Sequence, residues 1–404
     1  MKPTRIAVIG AGAAGYFAAI HAKENFPEAE VLLLEKTSKV LSKLRISGGG
    51  RCNVTNGTRS IAELTKAYPR GGRQLKKLFG TWNTQHTWEW FETRGVQLKE
   101  EDDGRVFPTT NDSETVADCL ERAAIDAGVQ LRLSCPVHEI GRTGINLTLT
   151  LEQGQEKFSH VIVATGGSPK RRGLEWLEDL GHAIADPVPS LFTFNLPSDP
   201  IRHLMGLSAP ALVRIPGTKL QESGQVLVTH WGISGPGVLK LSSWGARELA
   251  DREYRFEVSL NWAGKTNQDH VLDDLLELQQ SHPRKKVSNA RPYRLPERLW
   301  LLLLDEAGLS PERVWGELGS KTIYKLVQVL VDDLHDVQGK TTFKEEFVTC
   351  GGIAWESVAA KTLQSKHVPG LYFAGEVLDV DAITGGYNFQ AAWTTAYHAA
   401  QLKD

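Results

Sequence analysis

The chain has 404 residues, long enough for two or three domains around a sizeable core. Its 46 basic and 48 acidic residues leave a formal net charge of −2, so no global field draws it to nucleic acid or to an anionic membrane. The four cysteines, Cys52, Cys119, Cys135 and Cys350, stand far apart with no Cys-x-x-Cys pair, which excludes the usual zinc spacings and predicts reduced thiols in a cytoplasmic protein with no metal centre.

The first element is the most informative. Residues 6–10 form an apolar strand ending in glycine, 11–15 read Ala-Gly-Ala-Ala-Gly into a small-residue helix, and 31–35 form a second apolar strand ending in Glu35. The apolar start has the look of a secretory segment, but glycines interrupt it and no cleavage site precedes a mature domain. It is a βαβ unit in which Gly10 permits the tight turn, Gly12 lets backbone approach a pyrophosphate and Gly15 seats the helix on the sheet. Ala13 and Ala14 open that helix, whose N-terminus faces the anion. Glu35, followed by Lys36, lies where a carboxylate accepts a ribose 2′-hydroxyl and repels a 2′-phosphate, so the expected ligand is an adenine dinucleotide.

Next comes 45–56, including Ser47, Gly48, Gly49, Gly50, Arg51, Cys52 and Asn53; small and amide residues build no core, and the segment is expected to be a ligand loop. Helices are expected over 74–79, 84–94 and 114–127, the last capped by Ser113, and strands over 130–135, 145–151 and 160–164. The strand 160–164 is continuously apolar and opens onto Thr165 and Gly166, as a buried parallel strand facing a ligand does. From about residue 190 the pattern shifts to short strands, among them 225–229 and 254–260, then to amphipathic helices over 269–281, 296–306, 311–318 and 321–334. Past 343 the α/β pattern of the N-terminal part returns, with a strand running into Gly375 and Glu376 and a closing helix over 387–401. The fold class expected is α/β: a Rossmann-type FAD-binding domain over 1–189 and 343–404, carrying an inserted domain over 190–342, β-rich to about 265 and helical beyond. No apolar run approaches the roughly 18 to 20 residues that span a bilayer, so a soluble protein without a membrane partner is expected.

Three separated elements, 10–35, 164–166 and the terminal Gly375-Glu376 followed by a glycine turn and helix, together resemble two-domain FAD proteins. More narrowly, Ser47–Asn53, residues 229–236, Gly351-Gly-Ile353 and residues 375–388 resemble the bacterial family of BaiN-type NAD(P)/FAD-dependent oxidoreductases, or aminoacetone-oxidase-type FAD enzymes, over essentially the whole chain. The resemblance implies that Glu376 or Asp379 holds the ribitol or pyrophosphate and that Thr384 to Gln390, including Gly385, Gly386, Tyr387 and Asn388, meets the flavin at a helix N-terminus; Val137 joins the cofactor-binding set. A positive helix end there favours reduced flavin, which is negative near N1 and O2, by about 0.3 to 2 kcal/mol.

The expected activity is FAD-dependent oxidoreduction: hydride transfer between the flavin and a small organic substrate or NAD(P)H. With a single dinucleotide fingerprint, NAD(P)H would dock only transiently. An oxygen-using amine or aminoketone oxidase and a non-catalytic flavoprotein are the alternatives. A dithiol mechanism is rejected, because the positions five residues from Cys52, Ser47 and Gly57, lack sulfur. His230 is a candidate proton donor, since hydride transfer to carbon leaves a proton to place and imidazole titrates near neutrality. Tyr387 is the other catalytic candidate. The basic run Arg284-Lys-Lys286 with Arg291, Arg294 and Arg298 holds one aromatic, Tyr293, and is expected to be a solvated loop rather than a nucleic-acid site. Oligomeric state is not legible.

Overall fold

A computed structural model describes residues 4–341 and 348–403. The chain divides into two compact units, one of residues 1–190 and 343–404 and a second of residues 191–342. The expected return of the chain at 343 lies outside the described residues.

The first unit is built on a parallel sheet. The elements that form this sheet and frame the site are, in chain order, β1 (Arg5–Ile9), α1 (Ala13–Asn25), β2 (Glu30–Leu34), α2 (Ser42–Gly50), α3 (Ser113–Ala127), β3 (Gln130–Arg132), β4 (His160–Val163), β5 (Leu371–Phe373) and α4 (Tyr387–Ala399). The sheet order is β5-β4-β1-β2-β3, every pair parallel, so strands from the two ends of the chain lie in one sheet. Residues 6–9 are buried on both faces, which explains why β1 is continuously apolar instead of alternating. Helix α1 is buried from Ala14 to Ala22 and packs on both α4 and α3; its small residues allow that approach. Rings of Phe17, Trp90 and Trp393 meet beneath it with centroids 4.8 and 5.1 Å from Phe17. Trp393 is fully buried, and its indole N–H is satisfied by the Val54 carbonyl at 2.9 Å.

Helix α3 corrects one expectation. Asp112, not Ser113, caps it by accepting the Glu114 N–H, while the Ser113 hydroxyl donates to the Arg45 carbonyl. The segment expected as a loop after Arg45 is partly helical: α2 runs regularly until Ser47, then breaks at Gly48 and Gly49, both left-handed.

The second unit carries a seven-stranded antiparallel sheet in the order Asp333–Gln338, Arg255–Asn261, Ser208–Arg214, Gln221–Val228, Gly232–Ser234, Thr193–Asn195 and Lys340–Thr341. Three expectations yield here. The helix expected over 321–334 stops at Val331, because 333–338 alternates buried and exposed with period two and pairs onto Arg255–Asn261; the unit's C-terminal part is therefore not all helical. The segment 311–318 holds only the short turn Trp315–Glu317. The sequence Ser234-Gly-Pro236 reads as a capped helix start, but Ser234 ends a strand and caps nothing; Pro236–Trp244 begins at Gly235 without a side-chain cap. Among the described residues no helix is long and apolar enough to cross a membrane.

Candidate functional site

The C-terminal ends of β1, β4 and β5 converge with the starts of α1 and α4 in the first unit. Gly15 is dictated by packing, since a Cβ there would stand 1.7 Å from the Gly10 carbonyl oxygen. Gly12 is different. Its φ of −87° suits any residue, and a Cβ would meet nothing within 4 Å. Neither conformation nor packing within the protein requires glycine there; what it keeps clear is space for something else. Gly49, Gly50 and Gly166 likewise face open space. Helix α1 starts at this bare position with no side-chain cap and no acidic residue in its first turn, so its free N–H groups and dipole offer an anion site.

Glu35 is tied into the same loop. One carboxylate oxygen accepts the Ala11 N–H at 2.9 Å and the other accepts the Thr37 N–H and hydroxyl, both at 2.9 Å. The oxygen bonded to Ala11 keeps a lone pair for a ribose hydroxyl, while the other has both engaged by Thr37. Residues 134 and 135 run alongside, donating to the Thr37 and Glu35 carbonyls and bringing half-buried Val137 to that end of the site. Lys36 is exposed. Across the cradle, Thr165 is exposed, and Gly375 packs against Ala14, where a Cβ would stand 2.8 Å from the alanine methyl.

The N-terminus of α4 is held from several sides. Asn56 donates to the Gly385 carbonyl at 2.9 Å, and the Tyr68 hydroxyl donates to the Tyr387 carbonyl at 2.7 Å. The Asn388 amide spans the turn, accepting the Ala382 N–H and donating to its carbonyl. Buried Asp381 pairs with Arg70 and accepts from the Ser190 hydroxyl. Gly386 starts the helix without a side-chain cap, so a second bare helix end faces the site. The Tyr387 hydroxyl is 3.5 Å from that of Thr58.

Other expected residues are engaged within the protein. Arg51 pairs with Glu101 at 2.7 Å and lies over the Phe107 ring at 3.9 Å, so its guanidinium is occupied. Ser47 donates to the Leu44 carbonyl, and the Asn53 side chain accepts the Val106 N–H. The Asp379 backbone is bound on both sides, its N–H to Ile353 and its carbonyl to the Trp355 indole. His230 lies in the second unit, exposed, its ring 3.9 Å from that of Trp231. Among the described residues no cluster of His, Cys, Asp or Glu is placed to hold a metal ion.

Cys52 is fully buried and unpaired, and burial pushes its thiol up to about 12 against a modest opposing hydrogen bond with Ser47. The native protein is therefore expected to leave Cys52 unalkylated by iodoacetamide at pH 8. Peptide mapping that finds it modified as fast as in urea would restore a reactive thiol to the site.

Sequence reasoning missed Thr37, Lys43, Arg70 and Asp381. Thr37 lies two residues from the Glu35 it bonds, whereas only tertiary contact brings the others to their partners; Lys43 Nζ, for example, reaches Glu376 Oε2 at 2.8 Å across 333 residues.

The family described as HI0933-like protein Rossmann domain matches residues 4–402. A ribosomal RNA dihydrouridine synthase of Escherichia coli K12 is 28% identical over 98% of this chain and 96% of its own length. A 3-dehydro-bile acid delta(4,6)-reductase of Clostridium scindens is 27% identical over 98% of both chains. Among solved structures, the 3-ketosteroid delta1-dehydrogenase of Sterolibacterium denitrificans shares the fold with a TM-score of 0.50 at 12% identity, over 98% of both chains.

Proposed function

The chain belongs to the HI0933-like family of FAD-dependent oxidoreductases, and on that premise we propose that it reduces a carbon–carbon double bond conjugated to a carbonyl. The observation that carries this reading is the full-length match to two relatives whose names share one bond change. A dihydrouridine synthase saturates the C5–C6 bond of uracil, conjugated to the C4 carbonyl. A 3-dehydro-delta(4,6) substrate is a dienone.

The cradle fits FAD on its own terms: Gly12 keeps a Cβ out of the pyrophosphate position, Glu35 offers a carboxylate to the ribose, and the bare end of α4 offers positive potential to the flavin. Once bound and reduced, the flavin would supply hydride to the carbon β to the carbonyl. The residues proposed to hold it are those read from the sequence, in particular Gly10, Gly12 and Gly15, Glu35, Gly49, Gly50, Gly166 and Glu376, with the 385–388 turn. A proton must then reach the α carbon; the Tyr387 hydroxyl and the His230 imidazole are the proposed donors. NAD(P)H, docking transiently, is the proposed electron source.

A small conjugated carbonyl compound is the primary substrate class, and a cytoplasmic setting is proposed with it. Uridine in RNA is the second reading. It is favoured by the Escherichia coli relative's name and by the basic run: Lys286 and Arg291 pair with Glu312 and Glu297, while Arg284, Lys285 and Arg294 stay exposed.

Anaerobic mixing with NADH or NADPH is expected to bleach the flavin band, and a dienone steroid is expected to restore it faster than an isolated alkene does. Restoration by a uridine-bearing RNA but not by the steroid selects the second reading. Bleaching by an amine, with recovery only in oxygen, would replace both with an oxidase.

A further inference from the structure

We infer that the cavity formed by residues 197–205 and His230 anchors an oxyanion of the substrate, so that the conjugated carbonyl compound proposed above also carries a carboxylate. This rests on that reading for the chemistry at the double bond, but not for the anchoring itself. The cavity lies wholly within the unit of residues 191–342, has a volume of about 540 Å³ and is lined in part by Pro197, Pro200, Arg202, His203, Met205 and His230. That volume suits the end of a small molecule. Backbone bonds tie its walls together: the Leu196 N–H donates to the Trp231 carbonyl at 2.8 Å, and the Gly206 N–H to the Val228 carbonyl at 2.9 Å. Arg202 Nε adds a bond of 2.8 Å to the His230 carbonyl, so the anchor and the proposed proton donor share one frame.

Charge selects the ligand. Arg202 Nη1 bonds the Pro197 carbonyl, but its Nη2 has no protein partner among the described residues. The ring nitrogens of His203 and His230 also bond nothing among those residues, and Arg298, donating to the His203 carbonyl at 2.6 Å, brings a second guanidinium to the rim. The one acid in the lining, Asp199, is engaged on both oxygens, by the Ile201 N–H at 2.9 Å and by His335 Nδ1 at 2.7 Å. A planar guanidinium with uncommitted donors matches a carboxylate. Pro197, Pro200 and Met205, the last 57% exposed, offer apolar surface to the carbon skeleton behind it. A phosphodiester is the other oxyanion such donors would take, but no phenyl, phenol or indole ring lines the cavity for a base to stack on, which favours a small carboxylate over RNA.

The probes are a saturated keto steroid with a side-chain carboxylate and its primary amide. Neither has a double bond to reduce, so calorimetric titration of the full-length protein reads the anchor alone. The wild type is expected to bind the acid about 10- to 100-fold more tightly than the amide, the scale of a charge-assisted bond. Arg202→Gln should cut that ratio to below about threefold, because it removes the lining side chain that is cationic at every pH, and should leave the affinity for the amide unchanged. His203→Gln, at a ring that makes no bond within the protein, should lower the ratio by less; it keeps the test decisive if a thermal melt shows that losing the Arg202 bonds unfolds the turn. A purely structural role for Arg202 would weaken acid and amide alike and overturn the proposal. So would a wild-type ratio near one, or a ratio that neither variant moves. A uridine oligonucleotide held through Arg202, with the two steroids bound alike, would assign the cavity to phosphodiesters instead. The double-bond reading is judged separately: if the conjugated dienone of the same acid binds with the wild-type ratio but is left unreduced in the presence of NAD(P)H, that reading fails while the anchor stands.

Discussion

Gly12→Val is expected to give a folded, colourless protein whose affinity for FAD falls at least about a thousandfold, a loss of roughly 4 kcal/mol. Two facts separate binding from folding at this position. The backbone is extended, with φ −87° and ψ −171°, a region that valine favours. The space a side chain would enter holds no protein atom within 4 Å, so nothing in the fold has to move. Stability of the stripped protein should therefore stay within about 1 kcal/mol of the wild type. The added methyl groups fall where the pyrophosphate must come close enough to bond the free N–H groups of α1, and a misfit there loses several charge-assisted bonds together. The same substitution at Gly15 would teach nothing about binding, because its Cβ would lie 1.7 Å from the Gly10 oxygen and the βαβ turn itself would break. Absorbance at the flavin band after reconstitution, beside a urea melt of the stripped protein, checks the claim. A variant that retains bound flavin at full occupancy would remove the cradle from residues 10–15.

What is legible in the sequence is what local pattern controls. The fingerprint and the acid at its proper distance specify β1, α1 and β2 and their chemistry, because each residue acts through backbone geometry within a stretch of about 30 residues. Full burial on both faces makes β4 read as an uninterrupted apolar run, and it joins β1 as a parallel neighbour. The failures lie where distant contact overrides local preference. Residues 321–334 carry a helical period, yet Asp333, His335 and Val337 are buried in a strand that pairs with Arg255–Asn261, far back along the chain. Arg51 stands in the expected ligand loop, but Glu101 and the Phe107 ring sit within its reach, and no spacing rule reveals a partner 50 residues away. The pairs Lys43–Glu376 and Arg70–Asp381 are invisible for the same reason.

His335→Ala is expected to destabilise the unit of residues 191–342 by about 3 to 5 kcal/mol near pH 6 and to flatten its dependence on alkaline pH. The imidazole is 4% exposed and lies between two carboxylates, Nδ1 2.7 Å from Asp199 and Nε2 3.0 Å from Asp333. Burial opposes its charging, but the two acids outweigh burial and push it up to about 10. Both acids have further duties: Asp199 accepts the Ile201 N–H at the start of the Pro200–Leu204 turn, and Asp333 accepts the Trp262 indole N–H at 2.7 Å. Removing the cation leaves two nearby carboxylates without their shared counter-charge, so the loss exceeds that of one ordinary hydrogen bond. The pH dependence follows from the same shift. A group whose folded value lies above its unfolded value, about 6.5 for imidazole, stabilises fully below that lower value, and the stabilisation is lost as pH rises toward about 10. Glu306, pushed up to about 7 by burial and then by Asp333, contributes a smaller loss in the same direction between about pH 4 and 7. Asp199, held low despite burial by its bonds to His335, contributes the opposite slope only at acid pH. Urea unfolding of the full-length protein, read by pulse proteolysis of peptides from 191–342 at pH 6 and pH 9.5, should show the wild-type midpoint falling between the two conditions and that of the variant, already low, moving far less. Equal midpoints for the two proteins at pH 6 would mean that the imidazole is buried neutral and bridges nothing.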